Sequence, residues 1–257
     1  MIWTSFGTFV LVATRLSGLF LVAPFFGSQA VPRRVRAMLL AAISFQITML
    51  HAERAPLAAG SLTELAVLVT REAAIGMVLA AAMMVCFASL QLTGQIISHL
   101  GGISIGDLFD PSTNASVPFI AQLLVLLATA LLLITGGHRQ VMRALLDLFH
   151  TMPPGQVRLP PDLLAGVVQL LGLSFETAVR AGAPIAAALL LSMVVLGLIG
   201  RTLPQLNILA VGLGLNSVVM LGGLFLTLGM VMWVFQRQEE TVIETVASWL
   251  ASAVPSR

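Results

Sequence analysis

Arg15 is the residue most out of place in this sequence: a guanidinium near the middle of the first long apolar stretch. An unpaired charge in hydrocarbon costs on the order of 3 kcal/mol even on the gentler insertion scales, so Arg15 requires a carboxylate or a route to water. Glu72, Asp107 and Glu176 are candidate partners within the chain, and a carboxylate on a neighbouring subunit is another. The candidate pairing is an intramembrane ion pair of Arg15 with Glu72, structural in role, with snorkelling of the arginine as the simpler alternative. Arg71-Glu72 offers the groups of half a proton relay, but neighbours on a helix point to different faces, and a solvated or inter-subunit contact fits the two better.

Other chemistry finds little support. Intramembrane hydrolysis needs a nucleophile or activated water beside a positioned base; Ser98-His99 and Asp107 to Asp110 supply the residue types without an organising motif. His99, His138 and His150 are too scattered for a metal-ligand spacing, and no His-Glu-x-x-His is present. Cys86 is the only cysteine, which excludes an intrachain disulfide and a thiolate cluster and reads as an apolar core residue. The expectation is a protein that is not an enzyme, with no catalytic, cofactor-binding or metal site.

The elements that must carry these residues are apolar helices. Residues 6–26 are long enough to span hydrocarbon about 30 Å thick, and Pro24 with Gly27-Ser28 ends them; with no basic n-region before it, this segment reads as a retained helix rather than a signal peptide. Residues 35–50 form a second helix of marginal length, followed by a polar connection over 51–61. Residues 62–91 form a third that overshoots a simple span. Gly94, Gly101, Gly102, Gly106, Pro111 and Pro118 then interrupt residues 94–118, and backbone so broken must be buried in protein or line water. Residues 119–135 are a clean apolar helix ended by Gly136-Gly137, 138–150 are amphipathic, and 151–162 form an exposed Pro-rich loop. Residues 163–200 would run to about 57 Å as one helix, with Gly182 and Pro184 supplying a kink midway. A last apolar segment over 208–235 precedes an amphipathic tail helix at 239–253, in which Glu239, Glu240 and Glu244 suit an N-terminal dipole. The whole, 1–257, reads as a single all-α membrane domain.

Composition agrees. Of 257 residues 58% are hydrophobic and 9% charged, with mean hydropathy +1.01, against about 25% charged in soluble domains. The outer shell therefore meets lipid or other apolar chains. All 13 basic residues are arginines, and only Arg33, Arg34 and Arg36 form a run, which suits a membrane-interface anchor and argues against nucleic acid as a partner. Simple alternating spans would place that run and the Arg139, Arg143, Arg158 region on opposite sides, so the positive-inside pattern is untidy; a miscounted span would explain it, and so would helices packed against partner subunits. Gly197, Gly200, Gly212, Gly214, Gly222, Gly223 and Gly229 are placed to let helix backbones approach closely, and the methionines serve as adaptable packing.

Several motifs, in order, resemble one family. They are Pro24-Phe25-Phe26-Gly27 with Val31-Pro32-Arg33-Arg34-Val35-Arg36; Glu72-x3-Gly76; Gly94 through Asp110-Pro111 to Pro118; Gly137-His138; Phe149-His150-Thr151-Met152-Pro153; and Arg201-x2-Pro204-Gln205-Leu206-Asn207. Together they resemble, across nearly the whole chain, the FliR family: the R-type subunit of the bacterial flagellar type III protein-export gate, related to the T-type subunit of virulence injectisomes. The resemblance implies a non-catalytic conduit of long kinked helices in a larger helical assembly. P-type and Q-type subunits, and a further export-switch membrane protein, would be its partners, together with membrane lipid. Unfolded protein substrates would pass through it, at the bacterial inner membrane in the flagellar basal body. It also implies a plug loop near 102–118, with Gly102, Ile103, Ile105, Gly106, Leu108, Phe109, Asp110 and Pro111 as its residues. The chain departs from the family's usual pattern at Gly214, where proline is common, and near Asn216, where lysine is. Two readings compete with it: a stand-alone secondary transporter with a midplane site, weakened by the lack of an inverted repeat, and the equivalent subunit of a virulence injectisome.

Overall fold

A computed structural model describes residues 2–22, 32–51, 61–102, 118–156, 163–203 and 208–252. Among them all regular secondary structure is helical, with α1 over Ile2–Val22, α2 over Arg33–His51, α3 over Leu62–Gly101, α4 over Phe119–Thr135, α5 over Gly137–Thr151, α6 over Leu163–Thr202 and α7 over Ile208–Ser252. The helices α3, α6 and most of α7 are long and apolar enough to cross a membrane, and α4 with α5 forms a bent pair that meets the same test together. The protein is a membrane helical protein.

The residues group into two compact units, one of 1–85, 136–171 and 239–257, the other of 86–135 and 172–238. In the first, α1 and α3 meet backbone to backbone. A Cβ added at Gly18 would come within 2.6 Å of the Gly76 carbonyl carbon, and one added at Gly76 would overlap the Arg15 carbonyl oxygen. Leu11, Leu16, Leu19, Ile75, Leu145 and Phe149 of this unit are all fully buried. In the second unit α3 meets α4 in the same way, where a Cβ on Gly94 would stand 2.7 Å from the Ala121 nitrogen. Thr93 Oγ1 donates to the Ala178 carbonyl of α6 at 3.1 Å, Ser89 Oγ to Gln238 Oε1 of α7 at 2.6 Å, and Ser192 Oγ to Asn216 Oδ1 at 2.8 Å. Helix pairs in hydrocarbon lack a strong hydrophobic drive, so close small-residue contacts and such hydrogen bonds hold them.

Four sequence expectations need correction. The interrupted stretch does not start at Gly94: α3 continues to Gly101, because Gly94 serves a close crossing rather than a turn. No separate tail helix starts at Glu239. Gln236-Arg237-Gln238 propagate helix, so the acidic residues of 239–253 lie inside α7, with Glu239 buried against Gly137. The first part of the 151–162 loop is not exposed, since Met152 and Pro154 are buried. Finally, a Cβ added at Gly197, Gly214, Gly222 or Gly229 would meet nothing within 4 Å, so these glycines do not pack within the chain; the close crossings use Gly18, Gly76 and Gly94 instead.

At the α4 to α5 break Gly136 adopts φ 77°, a left-handed conformation that favours glycine, and ends one helix where the next begins. The α6 helix runs through Pro184 to Thr202, and its apolar stretch is only 28% buried, that of α7 22%, against 61% in α3. The outward faces of α6 and α7 are therefore open.

Candidate functional site

The glycine crossing of α1 and α3 determines what stands beside it. Arg15 lies three residues before Gly18 and Glu72 four before Gly76, about one turn away on each helix, so bringing the glycines into contact brings these two side chains together. Arg15 Nε donates to Glu72 Oε2 at 2.6 Å, and both side chains are essentially inaccessible. Arg71, next in sequence, is exposed, as expected of adjacent helical residues.

Two backbone hooks complete the arrangement. Arg15 Nη1 donates to the Met152 carbonyl at 3.1 Å, and the Gly155 N–H donates to Glu72 Oε1 at 2.8 Å. The turn over 152–156 is thus clamped from both sides, by a cation on its carbonyl and an anion on its amide. Gly155 adopts φ 83°, which aims its N–H at the carboxylate. The Arg15 guanidinium also lies over the Phe149 ring, its Cζ 4.5 Å from the ring centre. Arg15 Nη2 is buried without a hydrogen-bond partner among the described residues. A pair so enclosed presents no free charge to a solute; what it can do is fix α1, α3 and the turn in one register.

The other candidates are dispersed. Glu176 pairs with Arg180 on the exposed side of α6 at 2.6 Å. Gly102 ends α3 with φ 77° and its N–H reaching the His99 carbonyl at 3.4 Å. Ile103, Ile105, Gly106, Leu108, Phe109, Asp110 and Pro111 lie outside the described residues, as does Asp107. Ser98 is buried with its hydroxyl unpartnered among the described residues, and the neighbouring His99 is exposed. Among the described residues no group of three potential metal-ligating side chains occurs. An open cleft of about 370 Å³ between α3, α5 and α7 is lined by Leu79, Met83, Val141 and Leu148 together with Arg143, Asp147 and Glu244.

Sequence reasoning missed Met152 and Gly155, because both act through backbone atoms. The signal within reach was the Phe149-His150-Thr151-Met152-Pro153 motif, conspicuous in the resemblance but without an assigned role.

Comparison with known proteins converges on one family. The model of bacterial export proteins, family 1, matches residues 6–242. The flagellar biosynthetic protein FliR of Escherichia coli strain K12 is 31% identical over 206 residues, covering 80% of this chain and 78% of its own length. That of Bacillus subtilis strain 168 is 29% identical over 255 residues, covering 96% and 95%. That of Caulobacter vibrioides is 28% identical over 230 residues, covering 88% and 90%. With the family's pattern running through every helix, this chain belongs to family 1 of the bacterial export proteins, the family of the FliR proteins.

Proposed function

We propose that the chain is a non-catalytic subunit of the flagellar type III export gate. In this reading it is embedded in the bacterial inner membrane at the flagellar basal body and joins P-type and Q-type subunits around a channel for unfolded flagellar proteins. Family membership supplies the export role. The observation that carries the assembly role is the open pair α6 and α7, whose apolar stretches the chain itself covers to only 28% and 22%. Gly197, Gly214, Gly222 and Gly229 lie on these two helices with open space around them, where a neighbour's backbone can come close. The enclosed Arg15–Glu72 pair suits a conduit better than a midplane transporter, which needs charge accessible to its solute.

The segment 102–118 serves in this reading as the plug. Gly102 and Gly106 provide hinges, and Ile103, Ile105, Leu108 and Phe109 exclude water and ions when the channel is closed. Disruption of the chromosomal gene is expected to abolish secretion of flagellar proteins into the medium, and the intact gene to restore it. Deletion of residues 106–112 is expected to raise ion conductance of the reconstituted complex; unchanged conductance removes the plug assignment, and undiminished secretion after gene disruption removes the function.

A further inference from the structure

We propose that the start of α2 binds the phosphate headgroups of anionic phospholipids, with the exposed apolar face of the same helix lying against their acyl chains. The proposal needs only that the chain is a membrane protein, and stands apart from its assignment to an export gate.

The first observation is charge in an unfavourable place. Arg33, Arg34 and Arg36 occupy the first turn of α2, and the helix contains no acidic residue at all. The partial positive charge of a helix N-terminus disfavours cations there, so the exposed Arg33 and Arg34 are not explained by helix stability. Arg33 and Arg34 are exposed, and neither belongs to an ion pair among the described residues. An anion brought to this turn would meet both the guanidinium forks and the helix terminus, and the planar guanidinium matches phosphate oxygens bidentately.

The second observation is the apolar run beyond the arginines. From Ala37 to Leu50 no residue is charged, a length of about 21 Å along the helix. Val35, Met38, Leu39, Phe45 and Met49 fall within an arc of roughly 120° at 100° per residue and are all exposed, Met38 at 73%. Ser44, Ile47 and Thr48, on the other side, are buried. The helix thus has one face covered by its own chain and one bare apolar face, and its arginines gather at one end, Arg34 beside the bare face and Arg33 and Arg36 further round the first turn. That is the profile of a phospholipid monolayer, phosphate at one level and hydrocarbon next to it. A free phosphate or nucleotide would use the arginines and leave the apolar face unexplained. An apolar protein partner would use the face and leave the arginines unexplained.

The test is titration of the purified full-length chain, or of the complex in which it purifies, in non-ionic detergent. Phosphatidylglycerol and phosphatidylcholine of equal acyl length are added and bound lipid is counted by native mass spectrometry. Phosphatidylglycerol is expected to bind preferentially, and each Arg→Gln change at 33 and 34 to reduce that preference roughly fivefold. Met38→Ser with Leu39→Ser is expected to weaken both lipids alike and preserve the ratio. Melting in detergent without added lipid serves as the folding control; should the variant carrying both arginine changes not fold, Arg34→Gln alone reads one fivefold step. Equal affinity for the two lipids, a preference unaltered by the substitutions, displacement by equimolar inorganic phosphate, or crosslinking of positions 38 and 45 in native membranes to protein rather than lipid would each overturn the proposal.

Discussion

Exchanging the charges of Arg15 and Glu72 should fail to restore what either single change destroys. Removing one member of a buried pair strands the other, a loss of about 3–5 kcal/mol for Glu72→Ala. Glu72→Ala also deprives the Gly155 amide of its acceptor. For a simple ion pair, Arg15→Glu with Glu72→Arg would recover most of the loss. Here the backbone hooks give the pair a direction. A carboxylate at position 15 would face the Met152 carbonyl, acceptor against acceptor, and a guanidinium at 72 would face the Gly155 N–H, donor against donor. Two buried polar groups left unpaired cost about 1–3 kcal/mol each. The swapped protein should therefore stay at least about 2 kcal/mol below the parent. Arg15→Met with Glu72→Leu, which removes both charges, should lie closer to the parent than either single change. Thermal melting of the purified chain in one fixed detergent gives the ranking, and a double-mutant cycle gives the coupling. A charge swap that melts with the parent would refute the directional clamp.

The helix crossings make further tests. Gly76→Ala and Gly94→Ala each push a Cβ into backbone, against the Arg15 carbonyl and Ala121 respectively, and should each lower stability by about 1–3 kcal/mol in the same melting assay. Gly172→Ala on α6 meets nothing within 4 Å and should be neutral or stabilising by up to about 1 kcal/mol. Ser192→Ala removes the hydroxyl that donates to Asn216 Oδ1 and should cost about 0.6–1.7 kcal/mol, while Ser192→Ala in an Asn216→Leu background should cost less, the difference being the coupling measured by the cycle.

Helix existence was legible wherever punctuation and composition agreed. Pro118 before α4 and Gly136 after it bracket a run of apolar residues, and the helix falls on 119–135 as the sequence implies. Glycine misled where its purpose was tertiary. Gly94 looks like a breaker in one dimension, but in the fold it is the place where α3 and α4 touch, and Ala121 cannot be identified as its partner from spacing alone. Gly197, Gly214, Gly222 and Gly229 of α6 and α7 resemble packing motifs, yet they face open space within the chain, while Gly212 and Gly223 meet Leu196 and Ile185. Amphipathic patterning at 239–253 was real, with Val242 and Val246 buried, but pattern does not tell a new helix from the continuation of an old one. Arg15 announced its need for a carboxylate through desolvation cost. That the carboxylate is Glu72 follows from glycines one turn away on two helices 57 positions apart, and the Met152 and Gly155 hooks left no side-chain trace.

The central claim is that this chain works as one subunit of a helical export gate. Its most direct test is purification of the tagged chain, expressed at native level, from native membranes in mild detergent, with mass determination and identification of the proteins that accompany it. The expected result is a stable complex in which small hydrophobic helical proteins, the P-type and Q-type subunits, cover the open faces of α6 and α7. An isolated monomer or dimer that is fully folded and binds a small solute would contradict it.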